Sequence, residues 1–191
     1  MKMDSRIKAV TFDEAMHKYW YNGTELHGVT GAIGEMMGKS FPDTDVVKLA
    51  TIYGSDVHKE VENYYNSDSK ILSSDGAKWV VEYLEQFKLK HFVNKIECEV
   101  MVSDFEGTAS KIDVVVRTDV GAYIFDIKTT SHFDRAYCSL QLSVYKKLYE
   151  QCYEDNIIGM FVLGTKSKRA FRILEQEQTK VDKILAMNKG E

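Results

Sequence analysis

The sequence predicts a mixed α/β fold, with a mixed central sheet flanked by helices, and three observations carry that prediction. Helix-period stretches precede three apolar, β-branched runs at about 94–103, 111–118 and 122–129. A further helical stretch runs from near Asp134 to Tyr153. It leads into Ile157-Ile158-Gly159-Met160-Phe161-Val162-Leu163, which reads as a fully buried strand. A helix between two strands implies a right-handed crossover linking a parallel pair. The 191 residues suffice for one domain with a sizeable core, and no repeat or linker divides 1–191.

The elements follow in order. His17 to Tyr21, Asn22-Gly23 and Thr24 to Leu26 predict an N-terminal β-hairpin, with Asn-Gly supplying the positive φ angles of a type I′ turn. Thr30 is expected to cap a short helix through about Met37. Gly38-Lys39-Ser40-Phe41-Pro42 is a loop that mimics the end of a phosphate-binding turn. Ile33 stands where such a turn needs glycine, and a helix precedes it in place of a strand, so the motif is set aside. Asp43 or Thr44 opens a helix to about Tyr65; 66–69 breaks it, and Asp75 to Lys90 forms a second amphipathic helix. Residues 169–174 read as an edge strand and 175–188 as a charged terminal helix.

Composition narrows the function classes. The chain is 44% hydrophobic and 28% charged, and no window approaches the roughly 18 apolar residues of a membrane span. Its first residues lack a signal peptide's apolar core, so a cytoplasmic location is expected and no membrane partner. Cys98, Cys138 and Cys152 are an odd, widely spaced set: reduced core thiols, too few for a four-cysteine iron–sulfur cluster. A net charge of −4 excludes a generic polycation. Lys166, Lys168, Arg169 and Arg172 nevertheless fall close together, as either a solvated face or a phosphate-contacting patch.

Two strands carry the candidate chemistry. Lys111-Ile112-Asp113 and Asp126-Ile127-Lys128 each set a carboxylate within a β-branched run. Alternation puts Asp126 and Lys128 on one side of the sheet. A turn tip at 119–120 pairs 118 with 121 and 117 with 122, which sets Asp113 opposite Asp126. Facing carboxylates with Cβ atoms about 5 Å apart repel unless a cation lies between them. Oxygen ligands, including the Ile127 carbonyl, select Mg²⁺ or Mn²⁺. The alternative is a salt bridge of either aspartate with Lys128. His58 and Glu62 share one helical face, as do Gln141 and Tyr145. The aromatics Tyr19, Trp20 and Tyr21 suit either core packing or base stacking.

Taken in order, Gly54-Ser55-Asp56-Val57-His58 with Glu62, Ala109-Ser110-Lys111-Ile112-Asp113, Asp126-Ile127-Lys128-Thr129 and Gln141-Leu142-x-x-Tyr145 resemble the RecB-type branch of the PD-(D/E)XK nuclease superfamily. That branch includes small phage exonucleases and the mitochondrial genome-maintenance exonuclease. The resemblance spans about residues 15–165 and implies a restriction-endonuclease-like core. It implies a DNA exonuclease of replication, repair or recombination using one or two Mg²⁺ or Mn²⁺ ions and no iron–sulfur cluster. Asp113, Asp126 and the Ile127 carbonyl would bind metal, with His58 as an extra ligand. Lys128 would orient or activate water and stabilise charge on the phosphate. Gln141 and Tyr145 would steady the lysine and contact the DNA backbone. Glu97 or Glu99 would match an upstream acidic residue, with Glu62 a further acidic candidate. Ser110, Thr129, Tyr145, Lys166, Lys168 and Arg169 would face DNA. Ser110 replaces the glycine common three residues before the first aspartate. Implied partners are single-stranded or duplex DNA ends and a single-strand annealing or binding protein, in the host cytoplasm if the chain is phage-encoded. The other readings are a structure-specific endonuclease or nickase, and a non-catalytic DNA-binding protein.

Overall fold

The computed structural model describes residues 3–38, 45–67 and 69–189. A short 3₁₀ helix at Ser5–Ala9 leads into β1 (Val10–Asp13), β2 (Lys18–Tyr21) and β3 (Thr24–Gly28). Three helices follow, α1 (Val29–Met36), α2 (Asp45–Asn66) and α3 (Asp75–His91). Then come β4 (Val93–Ser103), β5 (Thr108–Thr118), β6 (Gly121–Lys128), α4 (Arg135–Cys152), β7 (Ile157–Gly164), β8 (Arg169–Ile173) and α5 (Gln178–Asn188). The expected loop and helix start at 39–44 lie outside the described residues, as does Asp68.

All eight strands join one mixed sheet in the order β1-β2-β3-β5-β6-β7-β8, with β4 paired to β5. The β3–β5 and β6–β7 pairs are parallel, and α4 connects the second pair. Helices cover both faces. Ala32 and Ile33 of α1, Leu142 and Leu148 of α4, and Val181 of α5 pack in one apolar cluster. Val57 and Val61 of α2 and Val80 and Leu84 of α3 pack in the other. Burying an aliphatic side chain of this kind contributes about 1.5–3 kcal/mol.

Local chemistry explains most boundaries. Asn22 and Gly23 take φ angles of 49° and 82°, the left-handed pair that a type I′ hairpin turn requires. The Ser74 hydroxyl accepts from Ala77 N at the start of α3, and the Asp134 carboxylate accepts from Ala136 N and Tyr137 N at the start of α4. Asp104 Oδ1 accepts from the amides of Glu106, Gly107 and Thr108, which closes the β4–β5 turn and starts β5 three residues before the expected position. The β5–β6 register is the expected one, Thr118 with Gly121 and Arg117 with Ala122.

Three expectations are corrected. Thr30 is not a cap: Gly28 precedes α1 without a side-chain bond, and Thr30 lies inside the helix. Val29 is fully buried, so its burial holds the first turn where a capping hydroxyl was expected. β7 is not buried throughout, because Ile158 is 38% exposed at the margin beside Gly121. β1 is an additional strand, four residues long and paired with β2 through Val10 to Tyr21 and Asp13 to Lys18.

The far half of β5 ends in a closed polar network. Arg117 is buried, its Nε donates to Glu97 Oε2 at 2.5 Å, and its Nη1 donates to Asp155 and Tyr149. Arg117→Met takes the guanidinium from Asp155 and leaves Glu97 with Lys95 alone. It should lower unfolding stability by about 2 kcal/mol, below the buried-pair range because both carboxylates are a quarter exposed. Urea unfolding at unchanged m-value measures this loss.

Candidate metal centre

β5 carries β4 along one edge, and its other edge is divided. β3 pairs with Thr108 and Ala109, β6 pairs with Val114 to Thr118, and no strand among the described residues takes 110–113 between them. The sheet opens there, and three carboxylates meet at the opening. Cys98 pairs with Val114 and Val100 with Ile112, which sets Glu99 beside Asp113 from β4. Val114 pairs with Phe125, which sets Asp126 beside Asp113 from β6. The β5–β6 ladder stops at that point, and Asp113 Oδ2 accepts from Ile127 N at 2.7 Å.

Glu99 sits at φ 53°, a left-handed conformation that a non-glycine residue adopts at a cost of about 1 kcal/mol or more. The strand changes allegiance there. Ile96 and Cys98 pack with the α2–α3 side, whereas Val100 and Val102 pack with the α4 side. Glu99 thereby reaches the opening. Glu97, two residues earlier, is held instead by Lys95 at 2.8 Å and by Arg117. The structure thus separates the two glutamates that the sequence leaves equivalent.

α2 delivers the imidazole. Gly54 lets this helix lie against the end of β6, since a Cβ there would stand 3.0 Å from Thr129 Oγ1. One turn on, His58 Nε2 lies 3.1 Å from Ile127 O and Nδ1 lies 3.6 Å from Asp113 Oδ2. The tautomer that donates from Nε2 to this carbonyl leaves the Nδ1 lone pair facing the carboxylates. Ligand atoms of His58, Glu99 and Asp113 fall within 4.8 Å of one another. The Ile127 carbonyl, expected as a ligand, is the imidazole's hydrogen-bond partner here.

Asp126 stands outside that trio. It is 2% exposed, and Lys128 Nζ lies 3.0 Å from Oδ1 and 2.9 Å from Oδ2. Oδ2 receives this charge but no well-directed hydrogen bond. Behind the pair, Lys128 Nζ donates to Gln141 Oε1 at 3.4 Å and Gln141 Nε2 donates to Tyr145 Oη at 2.9 Å. Ser110 Oγ also donates to Tyr145 Oη, at 3.3 Å. Tyr145 is 3% exposed with its hydroxyl turned onto these two groups, so its polar end serves Gln141.

These side chains line a cleft of about 810 Å³ that also takes in Thr129, Glu62, Lys59, Lys111, Phe12, His17 and Tyr19. Glu62 is paired with Lys59 at 2.9 Å. Lys166 lies over the Tyr53 ring at 4.6 Å, beside the α2 wall, and Lys168 and Arg169 are exposed on the β7–β8 turn. Of the hairpin aromatics Tyr19 is buried, Trp20 is half-buried and Tyr21 packs on Phe105. Sequence reasoning passed over Lys111. Its signal is the spacing of Lys111 and Asp113, two apart like Asp126 and Lys128 and so on one side of a strand.

Burial, then the neighbouring Asp113, pushes the Glu99 carboxyl up to about 7, with Lys111 and His58 pulling the other way. Burial also raises Asp126, against the pull of Lys128. For Lys128 burial works downward, but Asp126 and Asp113 outweigh it and raise the pKa, so the side chain stays an ammonium. One imidazole and two ionisable carboxylates fit a divalent cation with open positions for water.

No family model matches the chain, and no curated protein matches it. A solved structure from Eubacterium rectale, of a protein described provisionally as an exonuclease, is similar at 11% identity and a TM-score of 0.42. That similarity covers 87% of this chain and 78% of the other. No helix among the described residues is long and apolar enough to cross a membrane.

Glu99 holds its proton more tightly in the folded chain than in the unfolded one. Its contribution therefore favours folding below pH about 4.5 and is lost as the pH rises through about 7. The melting temperature in chelator should fall across that interval, and Glu99→Gln should flatten the decline. A variant that follows the wild-type curve would contradict this assignment.

Proposed function

We propose that the chain is a divalent-metal-dependent deoxyribonuclease that degrades DNA from its ends. One observation carries this reading: the His58, Glu99 and Asp113 donors converge with the Lys128 ammonium in one open cleft. The order of motifs shared with RecB-type nucleases supports it independently.

Phosphodiester hydrolysis needs positive charge where oxygens become negative. One or two Mg²⁺ or Mn²⁺ ions supply charge neutralisation and an acidified water when bound. His58, Glu99 and Asp113 would hold them, with Asp126 one strand away. Lys128 remains protonated, so its role is to stabilise developing charge and orient water, and a base function does not suit it. Asp126 and Gln141 fix that ammonium from two sides. Tyr145, itself held by Ser110, then fixes Gln141. Ser110 and Thr129 on the cleft wall, with Lys166, Lys168 and Arg169 beside it, would contact backbone phosphates. Backbone contacts carry no base information, which suits degradation. A nuclease of this kind fits replication, repair or recombination, alone or beside a single-strand binding or annealing protein.

With Mn²⁺ or Mg²⁺ the purified protein should shorten end-labelled linear DNA, stop on chelation, and leave covalently closed circles intact. Lys128→Ala and Asp113→Asn should each slow cleavage about 100-fold or more, with unchanged circular dichroism. Full activity in Lys128→Ala would overturn the mechanism, and opened circles would replace the exonuclease reading with an endonuclease.

A further inference from the structure

Each outer carboxylate of the opening has its own lysine. Lys128 covers Asp126 from β6, and on the other side Lys111 Nζ stands 3.6 Å from Glu99 Oε2. The two differ in their surroundings. Lys128 is tied to Gln141 and Asp126 inside the sheet. The Lys111 ammonium sits 4.4 Å above the Phe12 ring, a weaker and slidable contact, and its side chain is 22% exposed to the cleft. Its separation from Glu99 exceeds a direct hydrogen bond.

Glu99 also belongs to the donor trio with His58 and Asp113. An ammonium and a divalent cation on the same carboxylate repel each other strongly in a half-buried cleft. We propose that Lys111 is a counter-ion for Glu99 only while the donor trio is empty, and that it becomes a contact for the DNA phosphate once the trio is loaded. The stem of Lys111 is anchored in β5, two residues before Asp113, so the displaced ammonium stays on the cleft wall beside the ligands. Phe12 offers it a resting face, since a protonated amine over an aromatic ring keeps part of its stabilisation. This inference rests on the nuclease reading and adds to it a substrate-contacting residue that moves between two negative partners.

Two opposite effects of one substitution test it on the full chain. Lys111→Met keeps the stem and removes the charge. Calorimetric titration with MnCl₂ alone, in mildly alkaline buffer, should show binding at least about threefold tighter than wild type, because a competing cation is gone. Binding of a fluorescent single-stranded oligonucleotide in Ca²⁺, with no turnover required, should weaken about tenfold. The plot of log affinity against log salt should be shallower by about 0.7, the share of the slope that one neutralised phosphate supplies on a single strand. Lys111→Arg should restore both the oligonucleotide affinity and the slope. A purely structural ion pair predicts a lower melting temperature in Lys111→Met with wild-type oligonucleotide affinity and slope, and that result overturns the proposal. Weaker Mn²⁺ binding in Lys111→Met overturns it as well. If wild type binds neither Mn²⁺ nor the oligonucleotide, the nuclease reading falls with it; if wild type binds both and Lys111→Met does not differ, the lysine proposal alone falls.

Discussion

Like charge on adjacent strands is the constraint around which the structure is built. Glu99, Asp113 and Asp126 stand side by side on β4, β5 and β6. Carboxylates on neighbouring strands repel at such spacing, and burial removes the water that would soften the repulsion. Each one has a separate partner. Lys128 neutralises Asp126, Ile127 N–H and His58 face Asp113, and Lys111 faces Glu99. Those partners come from α2, from β5 itself and from β6. The close seat of α2 at Gly54, the opening of β5 at residues 110–113 and the delivery of Gln141 from α4 all serve the same small region.

Much of that region was legible in the sequence because it follows from periodicity. A tight turn at 119–120 fixes the β5–β6 register, and the register places Asp113 next to Asp126. Helical spacing placed His58 and Gln141 on definite faces, and the crossover helix brought the second to the lysine. The choice between Glu97 and Glu99 was not legible. Alternation puts both on one side, and the difference lies in a left-handed φ at Glu99 and in a claim on Glu97 by Arg117 from the next strand. Neither leaves a local mark. β1 was invisible for a related reason: four residues with no turn dipeptide after them become a strand only because β2 pairs with them. Val29 shows the same override at a helix start, where burial outweighs the hydroxyl of Thr30.

The two halves of β5 show how one set of residue types takes on opposite roles. In the far half, Arg117 and Lys95 meet Glu97 and Asp155, so cations and anions balance within the fold. In the near half three carboxylates meet two ammonium groups, so anionic groups outnumber cationic ones. On the proposed reading that imbalance is functional. A divalent cation would offset that surplus where the donors converge and so make room for the negative charge of a phosphodiester. The loaded centre would therefore attract a phosphodiester, while the metal-free cleft, still negative, would repel DNA. On this reading the excess carboxylate on β4 sets that order of binding.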